Sequence, residues 1–260
     1  MTRNHIIVSI LLFLCLLSGC ISQRTENNVS SQESSQNPIV SNTSEQESFH
    51  FESGYTFSDY NYKIQNDYIK IERYIGSDIN VIIPNQIEGK PVKILGDDSF
   101  FQRTDIKEVI LPESLSTIGS DAFYRCYSLK EIFIPKNVEK IGDNPFFKCS
   151  NLSKIVVDPE NRNYCDVDGA LLNKDKNTLL AYPEGKSEEK CVIPDTVTTI
   201  ADCAFGYRCN FSEIYIGKNV VNFPSNDMFF NNPEMKLLVK PNSAAEQYAK
   251  EYGLDFEIVK

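Results

Sequence analysis

The sequence predicts a β-rich solenoid, a stack of coils of about 23 residues with a parallel sheet along one face, interrupted by a β-hairpin insertion and closed by a C-terminal helical cap. Three observations carry this expectation. The stretch Ile106 to Leu152 says nearly the same thing twice: Ile106-Lys-Glu-Val-Ile-Leu-Pro112, Ile118-Gly119, Ala122-Phe123 and Cys126 return 23 residues later as Leu129-Lys-Glu-Ile-Phe-Ile-Pro135, Ile141-Gly142, Phe146 and Cys149. Short apolar runs of the same kind recur before and after it, each closed by Pro or a substitute. One coil also has too few inward apolar groups to offset the entropy of ordering it, so neighbours must stack to supply the missing burial.

With the closing residue as a ruler, the rungs are Val81-Ile-Ile-Pro84, Val109-Ile-Leu-Pro112, Ile132-Phe-Ile-Pro135, Ile155-Val-Val-Asp158, Cys191-Val-Ile-Pro194 and Ile214-Tyr-Ile-Gly217, at steps of 28, 23, 23, 36 and 23 residues. The first long step carries an extra Ile87-Glu-Gly-Lys-Pro91 turn. The second holds residues 160–184, where Ala170-Leu-Leu and Thr178-Leu-Leu-Ala flank the polar Asn173-Lys-Asp-Lys-Asn177; this pattern predicts the hairpin. Pro at a strand end stops the ladder, and Gly after Ile118 and Ile141 suits a turn that a side chain would obstruct.

The ends of such a stack expose apolar surface and unpaired strand edges, so caps are expected. Residues 57–80, with Tyr62, Ile64, Tyr68, Ile69 and Ile71, supply the first. In residues 234–260, Ser243 reads as a helix N-cap, Ala244 to Tyr252 has helical composition, Gly253 ends it, and Phe256-Glu-Ile258 adds an edge strand.

The N-terminal part is of another kind. Residues 1–20 run from Arg3 through an apolar stretch, Ile6 to Leu17, into Leu17-Ser18-Gly19-Cys20. These are the parts of a secretory signal, and the apolar run is too short to span a bilayer. The ending resembles a prokaryotic lipoprotein lipobox, which implies lipid attachment at Cys20, an extracytoplasmic location and membrane association through the lipid anchor. Residues 21–56 are dominated by Ser, Asn, Gln and Glu and form a disordered tether. A coil of about 30 residues reaches roughly 30 Å, enough to lift a domain off a lipid surface.

The pattern Leu-x-x-Ile-x-Ile-Pro-x-x-Val-x-x-Ile-Gly-x-x-Ala-Phe-x-x-Cys-x-x-Leu resembles the BspA-type leucine-rich repeat of bacterial and archaeal surface proteins. The likeness covers residues 57–260, including Ile71-Glu-Arg-Tyr-Ile-Gly76, Tyr164-Cys-Asp-Val-Asp-Gly169 and Ser243-Ala-Ala-Glu-Gln-Tyr-Ala249. It departs at Pro145, where Ala is expected, at Asp158 and Gly217, which replace Pro, and at Phe223-Pro with Met228 or Phe229 in the last coil. The resemblance implies a leucine-rich-repeat fold and a binding or adhesion role at the cell surface, without catalysis.

Composition narrows the chemistry. A formal charge of −10 repels a phosphate backbone, so nucleic acid is not an expected partner. The two histidines, His5 and His50, lie outside the foldable part, which removes His-based nucleophilic catalysis and His-containing zinc sites from it. Cys126, Cys149, Cys165, Cys191, Cys203 and Cys209 include no Cys-x-x-Cys pair. Those just after the repeat Phe read as a ladder of buried thiols, while Cys165 with Cys191, or Cys203 with Cys209, stay open as oxidised pairs. Asp97-Asp98, Asp166/Asp168 and Asp175 read as solvated turns. A carboxylate-based hydrolase is the least favoured function, and no catalytic, cofactor or metal residue is assigned.

The outward strand positions are more informative. Ile82, Ile110, Phe133, Val156, Val192 and Tyr215 alternate with core-facing neighbours, and Glu108, Glu131, Lys154, Lys190 and Glu213 edge them. An apolar stripe on an exposed sheet marks a face for a protein or glycan ligand, with Phe133 and Tyr215 as anchors. A structural envelope component that uses the stripe for self-association is the alternative.

Overall fold

The computed structural model describes residues 57–207, 209–224, 229, 232 and 234–260. The signal segment, the tether and Cys20 lie outside them. The described chain opens with β1 (Tyr60–Gln65) and β2 (Tyr68–Tyr74), an antiparallel hairpin that buries Ile69 and Ile71 and sits on the first coil. Then come β3 (Asn80–Ile82), β4 (Gln86–Ile87), β5 (Lys90–Leu95), β6 (Glu108–Ile110), β7 (Thr117–Ile118), β8 (Glu131–Ile134), β9 (Lys140–Ile141) and β10 (Lys154–Val157). The insertion contributes β11 (Tyr164–Val167), β12 (Ala170–Asn173) and β13 (Thr178–Ala181). The remaining elements are β14 (Lys190–Val192), β15 (Thr199–Ile200), β16 (Glu213–Ile216), β17 (Lys236–Val239), helix α1 (Ala244–Tyr252) and β18 (Phe256–Ile258).

Parallel pairing occurs on two sides of the coil, one more than the single sheet expected. The Ile-x-Ile strands pair β3 with β6, β8 with β10, and β14 through β16 and β17 to β18. The Thr/Lys-Ile pairs before Gly make a second ladder, β5–β7–β9, continued by β13–β15. Gly119 and Gly142 sit where this ladder turns, and a Cβ on either would come within 2.5 Å of the backbone of the preceding coil. Close approach of the backbones is what selects Gly there.

The third side of each coil is a tight turn that carries the repeat Phe. Tyr74, Phe100, Phe123 and Phe146 stack inside it with ring centroids 5.3, 5.1 and 5.7 Å apart, so each coil passes the same ring to the next. In the last coil Phe229 takes this place, buried 5.3 Å from Phe205.

The expected hairpin is a three-stranded antiparallel meander, β11–β12–β13. Its last strand is a rung of the second ladder, Thr178 opposite Thr199 and Leu179 opposite Ile200. β17 is a rung beyond the six expected, because its run Leu237-Leu238-Val239 is continuously apolar and Pro241 comes one residue late for the ruler. The helical cap forms where expected: Ser243 Oγ accepts from Glu246 N at 3.2 Å, and Gly253 closes the helix with φ +67. Glu246, at the third helical position, accepts from Asn242 N at 2.6 Å, the amide just before the N-cap.

Candidate functional site

Strand alternation turns the six sequence-predicted positions away from the core-facing neighbours. Val81, Val109, Ile132, Ile155, Cys191 and Ile214 point into the core, while Ile82, Ile110, Phe133, Val156 and Tyr215 are half-buried and Val192 is 58% exposed. Pairing brings Ile82 opposite Ile110, Phe133 opposite Val156 and Val192 opposite Tyr215.

The stripe is two segments. After Val156 the place of the next rung is taken by the turn of β11 and β12: Ile155 N donates to Gly169 O at 2.9 Å and Val157 N to Asp166 Oδ1 at 3.0 Å. The second segment starts at Val192, passes Tyr215, and reaches Leu238, which is buried although it lies outside the core cluster, then Glu257. Beside it the charges alternate in register. Lys190 lies 3.7 Å from Glu213, and Lys236 lies 3.8 Å from Glu257. Such exposed pairs contribute about 0–1 kcal/mol each, so they act on orientation and specificity more than on stability.

The acidic concentrations serve the backbone. Asp97 Oδ1 accepts from Ser120 N at 2.8 Å, Asp166 caps β10, and Asp168 pairs with the buried Lys186 at 3.0 Å. All six cysteines of the repeat domain are free thiols, so neither Cys165–Cys191 nor Cys203–Cys209 is oxidised. Cys126 Sγ donates to Phe100 O at 3.2 Å and Cys149 Sγ to Phe123 O at 3.0 Å. Burial pushes the Cys126 and Cys191 thiols up to about 12 and Cys149 well above its ordinary value, which leaves them unreactive. Cys191 instead has Tyr182 as a hydrogen-bond partner.

One surface escaped the sequence reading. Just outside the buried Phe ladder runs a second, half-exposed column: Phe101 on Tyr124 at 5.0 Å and 9°, Tyr124 on Phe147 at 5.7 Å and 24°, and Phe147 edge-on to Tyr207 at 6.2 Å. Cations lie over these rings: Arg73 over Phe101 at 5.9 Å, Arg125 over Tyr124 at 5.2 Å, and Lys148 over Tyr207 at 3.6 Å. The signal was the doublet Phe100-Phe101, Phe123-Tyr124, Phe146-Phe147. Its first letter is the core residue of the repeat, and its second was read only as a spacer.

The insertion separates a first stack of coils, up to Val157, from a second that starts at Lys190, and between them lies a narrow cleft lined by Asn144, Phe147, Tyr182, Glu184, Cys203 and Gly206, with room for little more than water. Among the described residues no group of His, Cys, Asp or Glu could hold a metal, and no helix is long and apolar enough to cross a membrane.

The BspA type leucine rich repeat region matches in six copies over residues 69–167 and 181–249. No curated protein matches the chain. Among solved structures, a leucine rich repeat protein of T. pallidum is similar at 21% identity over 79% of this chain and 98% of that one, with a TM-score of 0.47. A leucine rich cell surface protein of Faecalibacterium prausnitzii is similar at 20% identity over 71% and 75%, with a TM-score of 0.35. By the repeat region that matches most of its length, the chain belongs to the BspA-type leucine-rich repeat family.

Proposed function

We propose that the protein is a lipid-anchored, extracytoplasmic binding module that holds a protein or glycan ligand on its sheet face. The observation that carries this is the row Ile82, Ile110, Phe133 and Val156, half-exposed across consecutive rungs and edged by Glu108, Glu131 and Lys154. A flat apolar row with a charged rim is how protein interfaces are built: the rim selects and steers, and aromatic anchors supply affinity. This favours a protein over a glycan on this face. The leader of residues 1–20 and the tether of residues 21–56 support display away from a lipid surface.

The test is recovery of ligands from a cell-surface extract with the full chain and with Phe133→Ala/Tyr215→Ala. The double variant should lose the partner that the parent retains; an unchanged set of partners rejects the sheet face. For the anchor, Cys20→Ser should release the protein from membranes, and retention counts against lipidation.

A second reading, an envelope component that self-associates, is favoured by β18. It pairs through one edge only, and Ile258 is 51% exposed. Sedimentation of the full chain over a range of concentrations separates the two readings, since self-association shifts mass with concentration.

A further inference from the structure

The outer aromatic column belongs to the turn side of the coils and plays no part in the sheet-face proposal. Its geometry is unusual for a surface that is merely solvated. Stacking takes both faces of Tyr124 and one face each of Phe101 and Phe147, so this half-exposed column offers a ligand ring edges, the electropositive rim, more than open faces. The cations that lie on those rings are Arg73, Arg125 and Lys148, and among the described residues none is within ion-pair distance of a carboxylate. Arg125 Nε is buried and has no acceptor. On a chain of net charge −10, a row of unpaired cations already held in place by rings is a pre-organised anion site.

Asp97, Asp98, Asp121 and Asp143 of the same turns lie together. Asp121 is pushed up by burial and then by Asp98, Asp143 and Asp97, with no cation among the charges acting on it. On the aromatic side Arg73, Arg125 and Lys148 outnumber the one carboxylate among them, Glu184, which accepts from Lys148 N at 2.7 Å and Tyr207 N at 2.8 Å, and this makes it the positive edge of the turn side.

We propose that the positive edge binds a linear anionic polysaccharide carrying sulfate or carboxylate groups, laid along the solenoid axis with Arg125 and Lys148 as its principal contacts. The repeat distance selects this class. Coils advance by about 4.8 Å, close to the advance per sugar of an extended polysaccharide, whereas charges on one side of an extended peptide recur every ~6.7 Å. A nucleic acid strand would need open ring faces for its bases, and here those faces are taken. Sugar hydroxyl oxygens can meet the ring edges while the acidic groups meet the cations.

The experiment measures binding of the full chain to heparin fragments at physiological ionic strength, with dextran of equal length and poly-glutamate as controls. Heparin should bind and dextran should not. Arg125→Gln/Lys148→Gln should weaken heparin binding about tenfold or more, while Arg125→Lys/Lys148→Arg should retain it. Lys107→Gln/Lys130→Gln removes two exposed cations from successive coils without rings and should change affinity by less than about twofold. An unchanged thermal midpoint shows that each variant is folded. Phe133→Ala/Tyr215→Ala should leave heparin binding intact, so failure of the sheet-face proposal and failure of this one are separable. The proposal is overturned if heparin does not bind, if both glutamine pairs weaken binding alike, or if poly-glutamate binds as tightly as heparin.

Discussion

The coils from Phe100 to Cys149 and the seam that follows them solve the same problem by different means. In the Phe turns of the regular coils every second backbone amide finds a carbonyl of the next coil: Phe100 N donates to Ala122 O at 2.7 Å, Gln102 N to Tyr124 O at 2.8 Å and Arg125 N to Phe147 O at 3.0 Å. At the seam the 36-residue step removes that carbonyl, and side chains replace it. Lys148 N donates to Glu184 Oε1 at 2.7 Å, Ile141 N to Tyr164 Oη at 2.9 Å, and Val157 N to Asp166 Oδ1. Asn161, fully buried, donates to Pro135 O and Val138 O and accepts from Asn163 N and Tyr164 N. Glu184 also accepts from Tyr207 N at 2.8 Å, so one carboxylate fastens the first stack to the second. An interrupted repeat can thus keep these backbone amides paired, because the insertion brings polar side chains of the right reach.

The comparison is open to attack by mutation. The largest effect belongs to the regular stack: Phe123→Ala, which breaks a fully buried ring ladder, should cost about 4 kcal/mol in denaturant unfolding. At the seam, Glu184→Ala strands two amides and should cost about 3 kcal/mol, with faster hydrogen exchange at Lys148 and Tyr207; Glu184→Gln, which keeps an acceptor, should cost about 1 kcal/mol. If alanine and glutamine are equivalent, the carboxylate is not the fastener.

Glycine distinguishes two turns of the coil more finely. Gly119→Ala drives a Cβ into the backbone of the neighbouring coil and should cost about 2 kcal/mol. At a different turn, the strand end where Gly217 replaces the repeat's Pro, Gly217→Ala meets the Asp195 side chain at 3.1 Å and Tyr215 at 3.9 Å and should stay within about 0.5 kcal/mol. At the C-terminal end, Ser243→Ala removes the cap of α1 and should cost about 1 kcal/mol.

The smallest effect is in pH dependence. Buried neutral thiols have folded pKa values above the unfolded one, so their contribution is complete below about pH 9 and is lost as pH rises through the folded values. Cys126 and Cys191, pushed up to about 12, set that window. Urea midpoints should fall between pH 9 and 12, and Cys126→Ala should flatten the decline.

Much of this was readable from the letters alone. The coil period, the inward residues Ile132, Ile134, Phe146 and Cys149, and the Ser243/Gly253 helix ends follow from patterns that close within one coil or one helix. Alternation also placed Ile82, Ile110, Phe133, Val156, Val192 and Tyr215 outward, because a strand has a period of two wherever it lies in the stack. The division of that stripe was not readable. The position of the 160–184 insertion in the chain says nothing about whether it stands aside from the sheet or occupies a rung. Nor did a single coil reveal that the second letters of the Phe doublets form a column, since a ladder exists only between copies.

By itself, then, the sequence determined what each coil buries and how the C-terminal end is capped, through interactions between residues a few positions apart. The tertiary structure alone decided how coils meet: the polar seam at Glu184 and Asn161, the alternating charges Lys190, Glu213, Lys236 and Glu257, and Lys148 over Tyr124 and Tyr207. These depend on the register in which residues some 20 to 60 positions apart are brought together. A step that departs from the period shifts every later residue, so register becomes visible only once the whole stack has formed.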